Sequence, residues 1–202
     1  MHLEILTQKQ QELIPLIKQF SDKFYLVGGT AIALQLGHRR SIDFDLFSVD
    51  DFKNEPIIKK ISRCFPITHT FIKSHSELTI LVNKVKMTFY QYQFSIPCKA
   101  KWEKVIVMPD VLTIAAMKAY ALGQRAKWKD YVDLYFVLKQ YSLKEIVLRA
   151  KKLFAGNFNE RLLREQLDYF VDVNYAEGIK YMPGMAVSDK EIKKTLKAIA
   201  LS

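Results

Sequence analysis

Asp43 and Asp45 are separated by Phe44 alone, and Gly28-Gly29-Thr30 lies upstream between a short apolar run and an Ala/Leu-rich segment. Side chains two apart on a strand leave the same face of a sheet. An extended backbone here would therefore present both carboxylates on one side and Ile42, Phe44 and Leu46 on the other. Paired hard oxygen ligands of this kind suit Mg²⁺, which keeps several waters and is shared with substrate phosphates. Two glycines ahead of a helix let backbone approach a ligand with no Cβ in the way. The free N–H groups of the helix's first turn then make an anion site. Together these residue types describe a phosphate cradle beside a carboxylate pair able to hold a cation.

The elements that must position these residues can be read from hydrophobic spacing. Phe24 to Val27 reads as a strand and 30–37 as a short helix, with Gly37 as its left-handed cap. Upstream, Thr7 and Gln10 fit a capping box that opens an amphipathic helix to about Gln19, and Pro15 inside it predicts a late start or a kink. Asp50-Asp51 reads as the cap of a helix from about Phe52 to Ser62, with Ile57, Ile58 and Ile61 facing inward. Ile67–Ile72, Leu78–Val82 and Val85–Tyr90 read as strands, the last two forming a hairpin across Asn83-Lys84. The aromatic run 89–94 is assigned to sheet packing rather than to base stacking, because aromatics favour strands anyway. Pro97 to Lys101 reads as a linker and Val105–Val107 as an edge strand. From Pro109 the pattern is helical, with helices to about Arg125, through Tyr131 and Leu138, from a Ser142 cap to Phe154, from an Asn157 cap through Leu167 and Phe170, and from Ser188 to the end. The chain is thus read as an α/β lobe over residues 1–108 and a helical lobe over 109–202.

Half of the 202 residues are apolar, with only seven glycines and six prolines, which excludes a disordered chain. No apolar run is long enough to span a membrane and no signal-like segment opens the chain, so the expected location is the cytoplasm. Cys64 and Cys98 lack a partner at metal-ligand spacing and are read as buried free thiols; the four histidines are scattered, which argues against zinc. A net charge of +10 suits a polyanionic partner held through its phosphates, although a merely basic surface fits it as well.

A second constellation lies in the helical half. Lys118 and Arg125, seven apart, share a helix face, and Lys129, Asp130 and Asp133 follow at helical spacing. Composition alone reads this as an exposed face with weak ion pairs, Asp133 partnering Lys129. Arg39 and Arg40, ahead of the acidic pair, either contact phosphate or hold the carboxylates ionised.

Gly-Gly-Thr, twelve intervening residues and Asp-x-Asp resemble the signature of the polymerase-β-like nucleotidyltransferase superfamily. Within it, His38-Arg39-Arg40-Ser41 and the later Lys118, Arg125, Lys129-Asp130-x-x-Asp133-Leu134 are similar to the AbiEii/AbiGii toxin family. The resemblance implies an α+β fold, with a nucleotidyltransferase-type mixed sheet flanked by helices and a C-terminal helical lobe. It also implies transfer of NMP from NTP to an acceptor hydroxyl on RNA, such as the 3′ end of tRNA, together with a cognate antitoxin. In that reading Asp43 and Asp45 hold Mg²⁺, and Gly28, Gly29 and Thr30 cradle phosphate. Lys118 neutralises the triphosphate, Asp130 positions substrate, and Arg125 and Lys129 help to bind the nucleotide. One departure stands out: the strand that should carry a third carboxylate has Thr88 in its place. The alternative is therefore a relative that binds nucleotide or RNA without turnover.

Overall fold

The computed structural model describes residues 1–202, which form two compact units, Met1–Asp110 and Val111–Ser202. The first is built on a five-stranded mixed sheet of order β1-β2-β5-β4-β3. Its strands are β1 (Tyr25–Val27), β2 (Phe44–Ser48), β3 (Ile67–Lys73), β4 (Glu77–Val82) and β5 (Val85–Gln91). β2 and β5 run parallel, and the other neighbours are antiparallel. The hairpin between β4 and β5 turns on Asn83 and Lys84, both at positive φ, which matches the strands' right-handed twist.

Alternation decides which face is which. Phe44, Leu46, Leu78, Ile80, Val82, Met87 and Phe89 are fully buried, whereas Asp45, Phe47, Lys86, Thr88 and Tyr90 on the opposite face are half-buried. Phe20 and Phe24 meet Phe89 edge-on at 4.9 and 5.3 Å, joining the N-terminal helices to the core. Those helices are α1 (Gln8–Glu12), opened by the Thr7/Gln10 capping box, and α2 (Ile14–Lys18). Sequence reading makes them one helix. They are two because Pro15 has no N–H to give and sits in the first turn of the second, where none is needed. The aromatics of β5 do pack: Tyr90 and Tyr92 lie 5.1 Å from Phe47 on the sheet's other face.

Several boundaries differ from expectation. Ile42 is 60% exposed, because the strand begins only at Phe44 and Ile42 lies outside its pleat. Asp50 and Asp51 do not cap α4 (Asn54–Ser62); the Asp50 N–H turns back to Ser48 Oγ, and Lys53 takes the cap position without a side-chain bond. Ile57 and Ile61 are buried on α4, while Ile58 lies at the flank. The linker at 97–101 contains a strand end, β6 (Ala100–Trp102), paired with β7 (Ile106–Met108). Cys64 is exposed on the turn after α4, and Cys98 is half-buried, its thiol pushed up to about 12 by burial.

The second unit comprises α5 (Val111–Leu122), α6 (Trp128–Val137), α7 (Leu143–Phe154), α8 (Glu160–Asp168) and α9 (Asp189–Ala200). Ser142 with Glu145 forms a reciprocal capping box on α7, and Ser188 caps α9. α8 starts later than expected, with Asn159 rather than Asn157 accepting the Leu162 N–H. No helix is long and apolar enough to cross a membrane.

α3 (Gly28–Leu36) ends on Gly37 at φ +66°, and its N–H closes onto Ala33 O. A side chain there forces the left-handed conformation on a residue with Cβ. Gly37→Ala is expected to cost about 1–2 kcal/mol, read as a lower denaturant midpoint at unchanged slope.

Candidate active site

Helix α3 begins directly at the end of β1, with Gly28 at φ +71°. A Cβ at this residue would lie only 2.0 Å from Asp45 Oδ2, so the carboxylate occupies the space that glycine leaves open. Gly29 is similarly tight, since a Cβ there would lie 2.8 Å from Arg39 Nη2 and 2.9 Å from Ser41 Oγ. Thr30 is buried. Its hydroxyl lies 3.0 Å from Ser41 Oγ and bonds the Asp43 carbonyl oxygen. A hydroxyl has one hydrogen, so Thr30 donates to Asp43 O and accepts from Ser41. Thr30 thus fixes the backbone that enters the acidic strand.

Register places Asp45 on one face of the sheet, and the ion pair of Lys86 with Asp43, just ahead of β2, brings the second carboxylate to it. Asp45 lies opposite Thr88 on β5, and Lys86, two residues earlier, shares that face. The Lys86 ammonium stands 3.3 Å from Asp43 Oδ2. Asp43 and Asp45 therefore converge on the sheet face that Lys86 and Thr88 occupy, beside the glycine turn. Thr88 continues the row to Thr79 at 3.4 Å, and Thr79 donates to Glu77 Oε1 at 2.8 Å. No group of three or more His, Cys, Asp or Glu side chains gathers to hold a metal ion. The two aspartates still suit a divalent cation as a partial ligand set, since Asp43 already carries a cationic partner in Lys86. Arg39 is only 3% exposed, a buried cation against Gly29, while Arg40 reaches Leu6 O at 3.5 Å.

The constellation of the helical unit is not the solvated face that composition suggests. Lys118 is 6% exposed, Asp130 1% and Asp133 0%. The Lys118 ammonium lies 2.6 Å from Asp130 Oδ1 and 2.7 Å from Asp133 Oδ2. The Asp133 carboxylate thus has Lys118 as a partner, which the spacing from Lys129 alone did not indicate. Asp130 Oδ2 makes no hydrogen bond; the half-exposed Arg125 guanidinium stands 3.6 Å away. Lys129, with Lys127, pairs with Glu177. Burial raises the Glu177 carboxyl, but the hydrogen bonds and charges of those lysines outweigh it and hold it at about 2.

Sequence reasoning passed over Lys86 and Glu177. Lys86 could have been found by carrying the strand period back from Thr88, whereas Glu177 lies in an irregular segment whose approach to α6 no spacing rule gives.

The family pattern described as "Nucleotidyl transferase AbiEii toxin, Type IV TA system" matches residues 16–99. The chain is 33% identical over 159 residues, 74% of each chain, to the uncharacterized protein aq_aa25 of Aquifex aeolicus. In fold it is similar to JHP933 from Helicobacter pylori, with a TM-score of 0.62 and 19% identity over 97% of this chain and 92% of that one. It is also similar to MenT4, the nucleotidyltransferase toxin Rv2826c of Mycobacterium tuberculosis, with a TM-score of 0.63 and 13% identity over 95% and 80% of the two chains.

Removing the cation from a buried pair leaves charge uncompensated. Lys118→Ala is expected to cost about 3–5 kcal/mol, against about 0.5 kcal/mol for a surface site, measured by chemical denaturation. The pH dependence of Glu177 has a fixed sign: its pKa is depressed on folding, so its contribution is present above 4.5 and lost as pH falls toward about 2. Glu177→Gln should remove that part of the acid-induced loss, visible as a flatter midpoint-versus-pH curve over this window.

Proposed function

From the premise that the chain belongs to the AbiEii family of nucleotidyl transferase toxins, we propose that it transfers a nucleoside monophosphate from an NTP to a hydroxyl of RNA, with a tRNA 3′ end as the first acceptor to test. The chain is a nucleotidyltransferase by family, and the type IV toxin–antitoxin class implies an antitoxin partner. The observation that carries the reading is the convergence of Asp43 and Asp45 on one sheet face, with the Asp45 carboxylate lodged against Gly28.

In this reading Asp43 and Asp45 hold a divalent cation, Mg²⁺, which would screen the charge of the phosphates when bound. The first-turn N–H groups at Gly28, Gly29 and Thr30 hold phosphate by hydrogen bonds and the positive end of α3. The acceptor oxygen bonds to the α-phosphorus, the α–β bridging bond breaks, and its electron pair leaves with pyrophosphate. The hydroxyl proton passes to water. Such chemistry depends mainly on positioning and charge stabilisation. In the helical unit, Lys118 pairs with Asp130, whose buried Oδ2 makes no hydrogen bond.

Binding without turnover is the second reading, favoured by one observation: Thr88 lies opposite Asp45, where the superfamily resemblance places a third carboxylate. Incubation with α-labelled NTPs, Mg²⁺ and total RNA separates the two, because only the enzyme puts label into RNA.

Asp43→Asn and Asp45→Asn preserve side-chain shape and remove one charge each. Each is expected to lower label transfer roughly a hundredfold or more while circular dichroism stays that of the parent. Unfolding by either change would make the pair structural, and undiminished transfer would remove it from the site.

A further inference from the structure

The carboxylate pair does not stand alone. Lys86 Nζ lies 3.3 Å from Asp43 Oδ2, its side chain 37% exposed against 17% for the carboxylate. Lys86 lies two residues before Thr88, the residue opposite Asp45, so ammonium, threonine hydroxyl and the Asp45 carboxylate share one sheet face, and Asp43 meets them through its ion pair with Lys86. No third acid gathers there. The face therefore has one fewer negative charge than a three-carboxylate site and one more positive charge fixed to its own backbone. A site that clamps both the attacking and the leaving oxygen with two metal ions needs ligands for both. Two aspartates supply such a ligand set for one ion.

Resting on the transferase reading above, we propose that Lys86 is the second cation of this site. Before substrate arrives, its ammonium neutralises Asp43 and competes there with the divalent ion. When NTP and the ion enter together, the flexible four-carbon stem turns the ammonium from Asp43 to the nucleotide's phosphate oxygens. There it stabilises the charge that develops as the α–β bridging bond breaks. Two properties follow: the divalent ion binds weakly without nucleotide and more tightly with it, and the enzyme needs one ion per turnover where a protein ligand set for two would take a pair. Lys86 then acts twice on the same anionic site, first as a stand-in for the metal and then as its companion.

The test uses the full chain and Mn²⁺ as a spectroscopic probe, titrated by electron paramagnetic resonance without nucleotide. An ion pair this exposed is worth at most about 1 kcal/mol, so Lys86→Met should tighten Mn²⁺ binding about three- to fivefold. Lys86→Arg, which retains the charge, should bind Mn²⁺ as the parent does. With ATP and RNA, Lys86→Met should lose roughly tenfold or more in kcat, although its metal site is better filled. A partner that merely stabilised the fold would not give tighter metal binding together with slower turnover. Mn²⁺ affinity unchanged in Lys86→Met, with affinity lost in Asp43→Asn, overturns the role of Lys86 and leaves the transferase reading standing. Parental affinity in Asp43→Asn places the ion elsewhere and overturns the underlying reading itself.

Discussion

The first unit depends on how closely the start of α3 approaches the acidic strand. Asp45 Oδ2 lies where a Cβ of residue 28 would be, so only glycine can stand there, and the backbone at φ +71° is one that glycine adopts without strain. The Thr30 hydroxyl then ties the Asp43 carbonyl to the same helix turn, with Ser41 in the clasp. Neither contact concerns the hydrophobic core directly. Both sit on its rim, where buried Phe44 and Leu46 hold β2 in the sheet and leave Asp45 on the opposite face. A rigid core strand positions the side chains of its other, half-buried face more firmly than a loop would.

A different constraint governs the helical unit. Burying a lysine between two aspartates costs desolvation that ion pairing only partly returns, and an apolar trio of similar volume could pack at least as stably. The two carboxylates share the Lys118 ammonium, the Arg125 guanidinium stands 3.6 Å from Asp130 Oδ2, and that oxygen is left without a hydrogen bond. Stability alone gives no reason to keep such a cluster on α5 and α6.

Local rules found what local physics decides. The Thr7 and Ser142 capping boxes, the left-handed Gly37 and the Asn83-Lys84 hairpin each depend on a few adjacent residues, and each was legible. The close approach of Gly-Gly-Thr to Asp-x-Asp was legible too, because the glycine turn and the acidic pair announce themselves in their spacing. Where a boundary depended on distant partners, the reading failed. Two aspartates at 50–51 look like a helix cap, but the residues after β2 are spent returning Phe52 to the core, and α4 starts after that. Ile42 looked like a strand residue because its neighbours alternate, yet the turn before β2 leaves it in solvent. Lys118, Asp130 and Asp133 looked solvated because a helix face of charges usually is; that they turn inward depends on packing that helical spacing does not encode.

The place of Thr88 connects these observations. In a site made only of carboxylates, like charges oppose one another until metal arrives, and the empty site is electrostatically strained. Here the strand beside Asp45 contributes a hydroxyl and the same strand contributes a lysine to Asp43. The fold can therefore form with its acidic pair already partly neutralised, independent of metal. The same ammonium that removes the strain also weakens the pull on a free cation. Thr88 and Lys86 are thus two sides of one arrangement on β5, in which the acidic pair meets a hydroxyl and an ammonium rather than a third carboxylate.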